Sequence, residues 1–413
     1  MQIQFQHLVG SFALWLAIPV SAATLYVDLN STSATPPFAD WTTAATNIQD
    51  AIDAANAGDQ ILVTNGVYQT GGRLISGVST INRVAVTQAV TVESVNGPAV
   101  TAIAGNQVPG TTNGSSAVRC VYLANGAALI GFTVTNGATG QTLDNGGGVW
   151  FQSTSPTTSV VSNCVLTGNS CGYLGGGAYG GGKMINCTFS NNWGRSDGGG
   201  AFGSVLVGCL LKGNAAGDAG GGSYGARLIN CTIVGNVAGF SGGGVGNSTL
   251  LANCIVYFNS APQNTNYSDS PMVYSCTTPL NPGFGNISNN ITNAPLFVDL
   301  AGGDYHLQSN SPCINAGKNS YIKNTGDLDG SPRITGGTVD LGAYEFPSPS
   351  SFLSYAWAQQ FGLPTDGSAD FTDTDGDGMN NWQEWISGTD PTSPLSVLKM
   401  LSVSNNASGL QVS

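Results

Sequence analysis

Six residues between positions 373 and 384 carry oxygen ligands at a regular spacing. The segment reads Asp373-Thr-Asp-Gly-Asp-Gly-Met-Asn-Asn-Trp-Gln-Glu384. Oxygen donors at positions 1, 3, 5, 7, 9 and 12, with glycine at position 6, form the twelve-residue loop that binds Ca2+. The predicted metal ligands are three carboxylates, one carbonyl, one amide (direct or through water) and one bidentate carboxylate, in the order Asp373, Asp375, Asp377, Met379, Asn381 and Glu384.

The role predicted for this ion is structural, because millimolar extracellular calcium suits a stabilising site better than a sensor. An acidic loop without an ion is the alternative. Position eight is Asn380 rather than an aliphatic residue, which argues against pairing with a second loop. Asp327 and Asp329, with Asp340, form a second candidate cation site. A capping turn satisfied by backbone amides is the favoured interpretation there.

Catalytic residues are sparse in the centre of the chain. A hydrolase needs two carboxylates at a defined separation, and a lyase needs a base. Arg195, Asp197 and Asp218 are the weak candidates, with the two aspartates 21 residues apart. Each aspartate also precedes a glycine triplet, where a turn residue is the ordinary explanation. A further candidate region lies in the irregular coils at Arg73, Arg83, Glu93 and Arg119.

The elements that must position these residues follow a repeat of about 22 residues. Three residue types recur in step. The cysteine column is Cys164, Cys187, Cys209, Cys231, Cys254 and Cys276. The asparagine column, five residues later, is Asn169, Asn192, Asn214, Asn236, Asn259 and Asn281. The glycine triplets begin at Gly146, Gly175, Gly198, Gly220 and Gly242.

Each repeat contains short alternating segments between turns, and no helical period. Ile185 and Phe189, two residues on either side of Cys187, are predicted to face inward with it. Glycine and asparagine then turn the chain, because they tolerate positive φ. A coil of this length that stacks in register is a parallel β-helix. The predicted fold class is therefore all-β, a single-stranded right-handed parallel β-helix with an N-terminal capping helix and a small C-terminal calcium-loop module.

The columns suggest how the interior is filled. Stacked asparagines can hydrogen-bond along the axis, because each amide both donates and accepts. We favour a ladder of buried thiols, since in-register side chains lie about a strand spacing apart, wider than a disulfide requires. Stacked disulfides and a catalytic or metal-binding thiol remain alternatives. Aromatic residues cluster near the turns and suit either sugar stacking or packing between coils: Trp150, Tyr173, Tyr179, Trp193, Phe202 and Tyr224.

Charge and targeting features indicate an exported protein. The net charge is −12, and residues 299–390 hold 13 of the 23 acidic residues with only three basic ones. There is no basic patch for nucleic acid. The apolar run Leu8 to Val20, followed by small residues, predicts a signal peptide over 1–23. No later segment has the ~20 apolar residues of a membrane span. We expect a secreted or bacterial cell-surface protein, monomeric.

The remaining domain boundaries follow from composition and pattern. The stripe Ile48, Ala51, Ile52 and Ala55 predicts a capping helix, followed by Gly58. The predicted segments are 24–59 for the first strand and capping helix, 60–291 for coils, 292–346 for C-terminal coils or a cap, 347–351 for a linker, 352–396 for the calcium module and 397–413 for the start of a truncated β module.

Three segments resemble known families. Residues 47–68 resemble the opening of bacterial proteins with the pectin-lyase-like fold, and the Gly-Gly-Gly and Asn-Cys-Thr-Phe-Ser-Asn-Asn units are similar to polymorphic outer membrane protein repeats. The segment from Ala294 to Glu345 resembles the choice-of-anchor Q domain, and the calcium loop resembles thrombospondin type 3 or dockerin-like repeats. These resemblances imply a surface β-helix. Since fold does not fix function, two classes stay open: a non-catalytic protein that binds a polysaccharide or cell-surface glycan, and a polysaccharide lyase or glycoside hydrolase.

Overall fold

The 22-residue repeat forms the coils of a right-handed parallel β-helix, as the sequence predicts. The computed structural model describes residues 22–154, 158–284, 286–398, 403–406 and 409–412. Each regular coil contributes one strand to each of three parallel sheets, and four coils add a strand to a fourth. Connections between parallel strands in one sheet are right-handed in nearly all proteins.

The strands are short, and each of the three long sheets stacks them in coil order. Sheet 1 contains Thr24–Val27, Gln60–Val63, Thr91–Ser94, Ala128–Ile130, Val160–Ser162, Lys183–Ile185, Val205–Val207, Arg227–Ile229, Leu250–Ala252, Met272–Val273 and Asn286–Ser288. Sheet 2 contains Ile81–Val86, Val118–Leu123, Val149–Phe151, Ala178–Tyr179, Ala201–Phe202, Ser223–Tyr224, Val245–Gly246 and Tyr267–Ser268. Sheet 3 contains Gly66–Tyr68, Thr101–Ala104, Thr133–Thr135, Val165–Thr167, Thr188–Ser190, Leu210–Lys212, Thr232–Val234, Ile255–Tyr257 and Cys276–Thr277.

The smaller elements lie at the turns and toward the C-terminus. Sheet 4 contains Ser170–Cys171, Trp193–Gly194, Ala215–Ala216 and Val237–Ala238. Two antiparallel pairs are Phe297–Asp299 with Asp304–Leu307 and Val403–Asn406 with Gly409–Val412. The helices are α1 (Ile48–Ala54), α2 (Tyr355–Gln360) and α3 (Asn381–Ser387), with 3-10 turns at Pro282–Phe284 and Asn319–Tyr321.

The inward positions around the cysteines differ from the simple alternation that the sequence suggests. Phe189 points inward as predicted, but Ile185 does not, and the buried partner is Met184. The reason is the residue immediately before each of the five cysteines from Cys164 to Cys254, which has positive φ and forms a corner between sheets 1 and 3. Asn186, for example, has φ +49°. The corner reverses the alternation, so the core position lies three residues before the cysteine rather than two.

The asparagine column forms a continuous hydrogen-bonded ladder. The Nδ2 atom of Asn169 donates to Oδ1 of Asn192 at 3.0 Å, and the same link continues through Asn214, Asn236 and Asn259. The spacing predicts Asn281 as the last member of this column, and that prediction is wrong. Asn266 takes the last place, accepting from Asn259 at 3.1 Å, because the chain returns to the ladder corner only seven residues after Asn259.

The cysteine column holds for five residues and ends before Cys276. Ser275 occupies the next place, since its hydroxyl accepts from the backbone N–H of Cys254. That coil is one residue shorter, so Cys276 pairs with Ile255 and lies on the outer side of sheet 3, near Cys313. A shift of one residue turns a side chain to the opposite face of a strand.

All nine cysteines are buried and free. In the column the thiols donate to backbone carbonyls, as Cys187 does to Ile185 at 3.3 Å and Cys231 does to Ile229 at 3.3 Å. Burial raises the pKa of the Cys164 and Cys254 thiols of the column well above the ordinary value. Such thiols are poor nucleophiles, which favours the packing interpretation of the ladder.

The N-terminal end of the solenoid is closed by helix α1. Its N-cap, Asn47, accepts from the backbone N–H of Asp50, and Ile48, Ala51 and Ile52 are buried against the first coil. The strand Thr24–Val27 pairs in parallel with Gln60–Val63 and starts sheet 1. The predicted capping helix is confirmed. Of the predicted signal peptide, residues 1–21 lie outside the described residues.

The segment 292–346, predicted as C-terminal coils or a cap, folds back along the side of the solenoid. Its apolar residues Phe297, Leu307 and Leu341 pack on the outer face of sheet 3 against residues such as Val234 and Ile255. It reaches back to the corner at Asn186, whose Nδ2 donates to the carbonyl of Asp327 at 2.9 Å. The later strands of sheet 3 have apolar residues on their outer face, such as Leu210 and Val234, and this segment covers them.

The segment 347–351, predicted as a linker, is docked rather than free. Asn315 donates to the carbonyl of Ser351 at 2.8 Å, and the Ser351 hydroxyl donates to Asp370 at 2.6 Å. Helix α2 begins at Tyr355, and the Phe352 amide before it donates to Asp370 at 2.8 Å. No helix among the described residues is long and apolar enough to cross a membrane.

Candidate metal centre

The acidic loop lies between helices α2 and α3 and is closed at its base by two backbone hydrogen bonds. The N–H of Asn381 donates to the carbonyl of Thr372, and the N–H of Trp382 donates to that of Asp370, both at 2.9 Å. These bonds set the start of α3 directly beside the entry of the loop. The first and last ligands of a twelve-residue loop are thereby brought together.

Three of the predicted ligands form one cluster. Carboxylate oxygens of Asp373, Asp375 and Asp377 lie within 4.8 Å of one another. Loop amides donate to these aspartates: Gly376 and Gly378 donate to Asp373 at 2.8 and 3.0 Å, and Met379 donates to Asp377 at 2.7 Å. Gly378, at the sharp turn, has φ +96°, which favours glycine.

Glu384 points into the same loop from helix α3. Its side chain is fully buried, and its Oε2 atom has no hydrogen-bond partner. The same holds for one buried oxygen each of Asp375 and Asp377. Burial, followed by repulsion from Asp375 and Asp377, raises the pKa of Glu384 to about 7. Buried carboxylate oxygens without partners are costly, and a cation among them would remove that penalty.

The two asparagines of the loop have structural roles of their own. Asn380, the unusual residue at position eight, is the N-cap of α3 and forms a reciprocal capping pair with Gln383. Asn381 is fully buried; its Nδ2 donates to the carbonyl of Ala369, and its Oδ1 accepts from the Thr374 hydroxyl at 2.9 Å. A direct Asn381 ligand would have to displace Thr374, whereas a ligand acting through water would not.

The donor set fits a hard cation. It consists of oxygens alone, with three clustered carboxylates, an available Met379 carbonyl position and a buried Glu384. Hard cations such as Ca2+ take six to eight such oxygens. Asp373, Asp375, Asp377 and Glu384 would hold the ion.

The second candidate cation site has the backbone-capped form that the sequence analysis favours. Both oxygens of Asp327 accept from backbone amides, including those of Ser331 at 2.8 Å and Glu345 at 3.0 Å. Those of Asp340 accept from Asn315 and Phe346, both at 2.7 Å. Asp340 is buried, and burial raises its pKa. These carboxylates anchor the turns of the fold-back segment.

His306 is not singled out by the sequence, although it lies beside this cluster. Its Nδ1 contacts Asp304 and its Nε2 contacts Asp329, each at 2.6 Å. Partial burial lowers the pKa of His306, but the two aspartates outweigh it, so the pKa is raised. The ring also packs against Tyr344, with centroids 4.2 Å apart. The closeness of Asp304 in the sequence is the only signal that could have indicated the contact.

The weak catalytic candidates lie on adjacent coils, but they do not form a catalytic constellation. Arg195 donates to the carbonyl of Gln141 at 2.8 Å. Asp197 accepts from the Ala219 amide at 3.1 Å, so it caps a turn, and Asp218 is exposed. Among the described residues, no ion pair joins Arg195 to either aspartate. Burial, with a smaller effect of Asp218, raises the pKa of Asp197.

The candidates in the irregular coils are also engaged in structural bonds. Arg119 is fully buried, pairs with Asp144 at 2.9 Å and donates to Asn82 at 2.8 Å. Arg83 donates to the Ala104 carbonyl at 2.8 Å, Arg73 pairs with Asp53, and Glu93 accepts from Gln60 at 2.8 Å. Arg73 and Arg83 line one cleft together with Asp53, and Arg119 and Glu93 lie outside it.

The aromatic column on the outside of sheet 2 stacks on itself. Tyr179 and Phe202 have centroids 5.5 Å apart at 20°, and Phe202 and Tyr224 lie 5.6 Å apart at 12°. Trp150 instead covers the Arg119 guanidinium at 4.7 Å. Because these ring faces cover one another, they favour packing between coils over sugar stacking. Trp193 and Tyr173 are 40% and 37% exposed at the neighbouring turns.

Comparison with known proteins gives similarities of fold. No family model and no curated protein sequence matches the chain. The chain is similar to pectate lyase Pel9A (17% identity, TM-score 0.48, covering 79% of this chain and 97% of that one). It is also similar to a rhamnogalacturonan lyase (12% identity, TM-score 0.40, covering 76% and 90%) and to the Dettilon tailspike protein (14% identity, TM-score 0.31, covering 61% and 62%). At these identities and TM-scores the similarities carry no conclusion about activity.

Proposed function

We propose that this protein is a secreted or cell-surface β-helix that binds a glycan without cleaving it, and that loop 373–384 holds a structural Ca2+. The observation that carries the proposal is the buried Glu384 carboxylate, which shares the loop with three clustered aspartates and has an oxygen without a partner. A weak calcium site of this kind is filled where calcium is millimolar, which is outside the cell.

The non-catalytic role is supported by the way the candidate catalytic groups are used. Arg195, Asp197 and Arg119 are committed to backbone or ion-pair contacts. General acid–base catalysis needs groups within hydrogen-bond reach of a substrate and with matched pKa values. We further propose that 292–346 corresponds to a choice-of-anchor Q domain and 352–396 to a thrombospondin type 3-like repeat.

The test is incubation of the mature protein with calcium and a panel of acidic and neutral polysaccharides. We expect retention of the protein on at least one glycan, with no unsaturated products and no new reducing ends. Cleavage that is lost in Asp197→Ala or Asp218→Ala would instead identify a lyase or hydrolase. Absence of both retention and cleavage would leave a surface protein with another kind of partner and would contradict the glycan proposal.

A further inference from the structure

A groove of about 1090 Å³ runs between the C-terminal coils and the calcium module. One wall comes from the ends of the last coils and the fold-back segment, including Tyr274, Asn289 and Lys318. The other wall comes from helices α2 and α3. The α2 side of the groove is anchored, because Tyr355 is buried in the core of the fold-back segment and Asp370 holds the Phe352 amide.

Three tryptophans line the wall formed by the helices: Trp357, Trp382 and Trp385. Trp382 is 38% exposed, and the other two are half-buried. Trp382 and Trp385 lie three positions apart on α3 and therefore share a face of the helix. Large aromatic rings that stay partly exposed in a groove offer flat apolar faces to a ligand.

The remaining lining mixes polar residues with apolar ones such as Ile291, Phe352 and Ile386, and it is almost uncharged. Side-chain amides come from Asn289, Asn319, Gln359 and Gln360. Asn315 adds a specific signal: it is fully buried and lines the groove, its Nδ2 donates to Ser351, and its Oδ1 has no hydrogen-bond partner. A buried acceptor without a partner is unusual and marks this part of the groove wall as incompletely satisfied.

The charge of the groove identifies the kind of ligand. Among the described residues that line the groove, Lys318 is the one that is charged, with its Nζ 5.8 Å from the Tyr274 ring, and none is acidic. The surrounding stretch 299–390 carries 13 of the 23 acidic residues. A polyanionic chain would be repelled by those acids as it approached. An uncharged chain rich in hydroxyls meets aromatic and aliphatic faces, side-chain amides and hydroxyls, and one amine.

We propose that this groove is the glycan-binding site, that it takes a neutral glycan chain, and that Trp382 and Trp385 stack on its sugar rings. This inference rests on the proposed glycan-binding function. Helix α3 also carries Glu384, so the helix that completes the metal loop presents the tryptophans. Calcium in the loop therefore fixes the wall of the groove, and removal of calcium weakens glycan binding.

The experiment measures affinity for three probes: a soluble mixed-linkage β-glucan, galactomannan and polygalacturonate. Affinity electrophoresis and tryptophan fluorescence are recorded with calcium and with a chelator. We expect a neutral glycan to bind, and Trp382→Ala and Trp385→Ala each to weaken it roughly tenfold, as the loss of an aromatic contact predicts. Trp41→Ala is the matched control, since Trp41 is 42% exposed at the opposite end of the chain. Near-UV circular dichroism checks that each variant is folded.

The outcomes separate this inference from the function on which it rests. Glycan binding that survives both tryptophan substitutions would refute the groove and leave the proposed function intact. Binding of polygalacturonate and of neither neutral glycan would refute the proposal that the ligand is a neutral glycan. Equal affinity for the glycan with calcium and with chelator would refute the proposal that calcium acts on glycan binding through helix α3. If the wild-type protein retains no glycan at all, the proposed function and the groove both fail.

Discussion

The Nδ2 atom of Asn214 donates to the Oδ1 atom of Asn236 at 2.9 Å, and that Oδ1 also accepts from the Asn214 backbone N–H at 2.9 Å. Each amide in the ladder thus accepts two hydrogen bonds from the preceding coil and donates to the next. Both residues are fully buried. The ladder satisfies polar groups in a place that water does not reach.

Asn214→Ala is expected to destabilise the protein by about 2–4 kcal/mol. It removes the acceptor of the Asn192 backbone N–H and of one Asn192 side-chain N–H, and the side-chain donor to the Phe189 carbonyl, and each buried group left without a partner costs about 1–3 kcal/mol. Chemical denaturation measures the change, with the exposed Asn310→Ala as the control. A loss no greater than that of the control would contradict the structural role of the ladder.

Calcium is expected to stabilise the protein by about 2.7 kcal/mol at a concentration one hundred times its Kd. Glu384→Gln should abolish most of this gain, because it removes the buried bidentate ligand. Asp218→Asn removes one acidic charge from an exposed site outside the loop and serves as the control. Calorimetric titration and thermal unfolding test the prediction, and equal calcium affinity in the two variants would contradict it.

The calcium effect is expected to grow as pH rises from 5 to 8. Without the ion, the folded-state pKa of Glu384 is about 7, above its ordinary 4.5. Because the folded state holds this proton more tightly than the unfolded state, protonated Glu384 favours folding fully at pH values below 4.5. This contribution to stability is lost as the pH rises through about 7. Calcium needs the ionised carboxylate, so its binding compensates most at high pH. Thermal unfolding with and without calcium at several pH values measures this, and Glu384→Gln should flatten the profile.

Asp144→Asn is expected to destabilise the protein by about 3–5 kcal/mol, because it leaves the buried Arg119 without its counter-ion. Asp53→Asn is the matched control. It breaks the ion pair between Asp53 and Arg73, and both of these side chains are about 40% exposed. Exposed ion pairs contribute about 0–1 kcal/mol to the free energy of unfolding. Urea unfolding compares the two. A similar small loss in both variants would show that Arg119 is not held by this pair.

All nine thiols are expected to resist alkylation in the folded protein and to react after unfolding without reductant. The reason is that every cysteine is buried and free, and a buried thiol is both inaccessible and slow to ionise. Mass spectrometry after iodoacetamide treatment counts the modified residues. Fewer than nine in the unfolded chain would reveal a disulfide, and Cys276 with Cys313 is the pair to examine first, because they share a hydrophobic cluster.

The coil architecture could be predicted from sequence because cysteine, asparagine and glycine recur in one period and each has a steric or hydrogen-bonding reason to do so. The exceptions at Cys276 and Asn281 could not be predicted from the sequence. The coil that follows Cys254 is one residue shorter than the others, yet Cys254 and Cys276 are still 22 residues apart. The position of 292–346 along sheet 3 depends on long-range packing, which spacing does not record.

The acidic loop could also be predicted from the sequence, because all of its ligands lie within twelve residues. The clustering of Asp373, Asp375 and Asp377 agrees with that expectation, although the identity of the ion stays a prediction. The groove could not be predicted from the sequence, because its lining residues, which range from Tyr274 to Gly388, come together only in the folded protein. The pair Trp382 and Trp385 was the one local hint.

The asparagine ladder has a direction, because each side-chain amide donates to the next coil toward the C-terminus. At the first rung Asn169 accepts from the Gly137 amide, and at the last Asn266 donates to the Thr278 carbonyl. Interior rungs present identical partners above and below, whereas the two ends do not. Duplication or deletion of one whole interior coil would therefore preserve every bond of the ladder, so the solenoid can change its length in evolution one coil at a time.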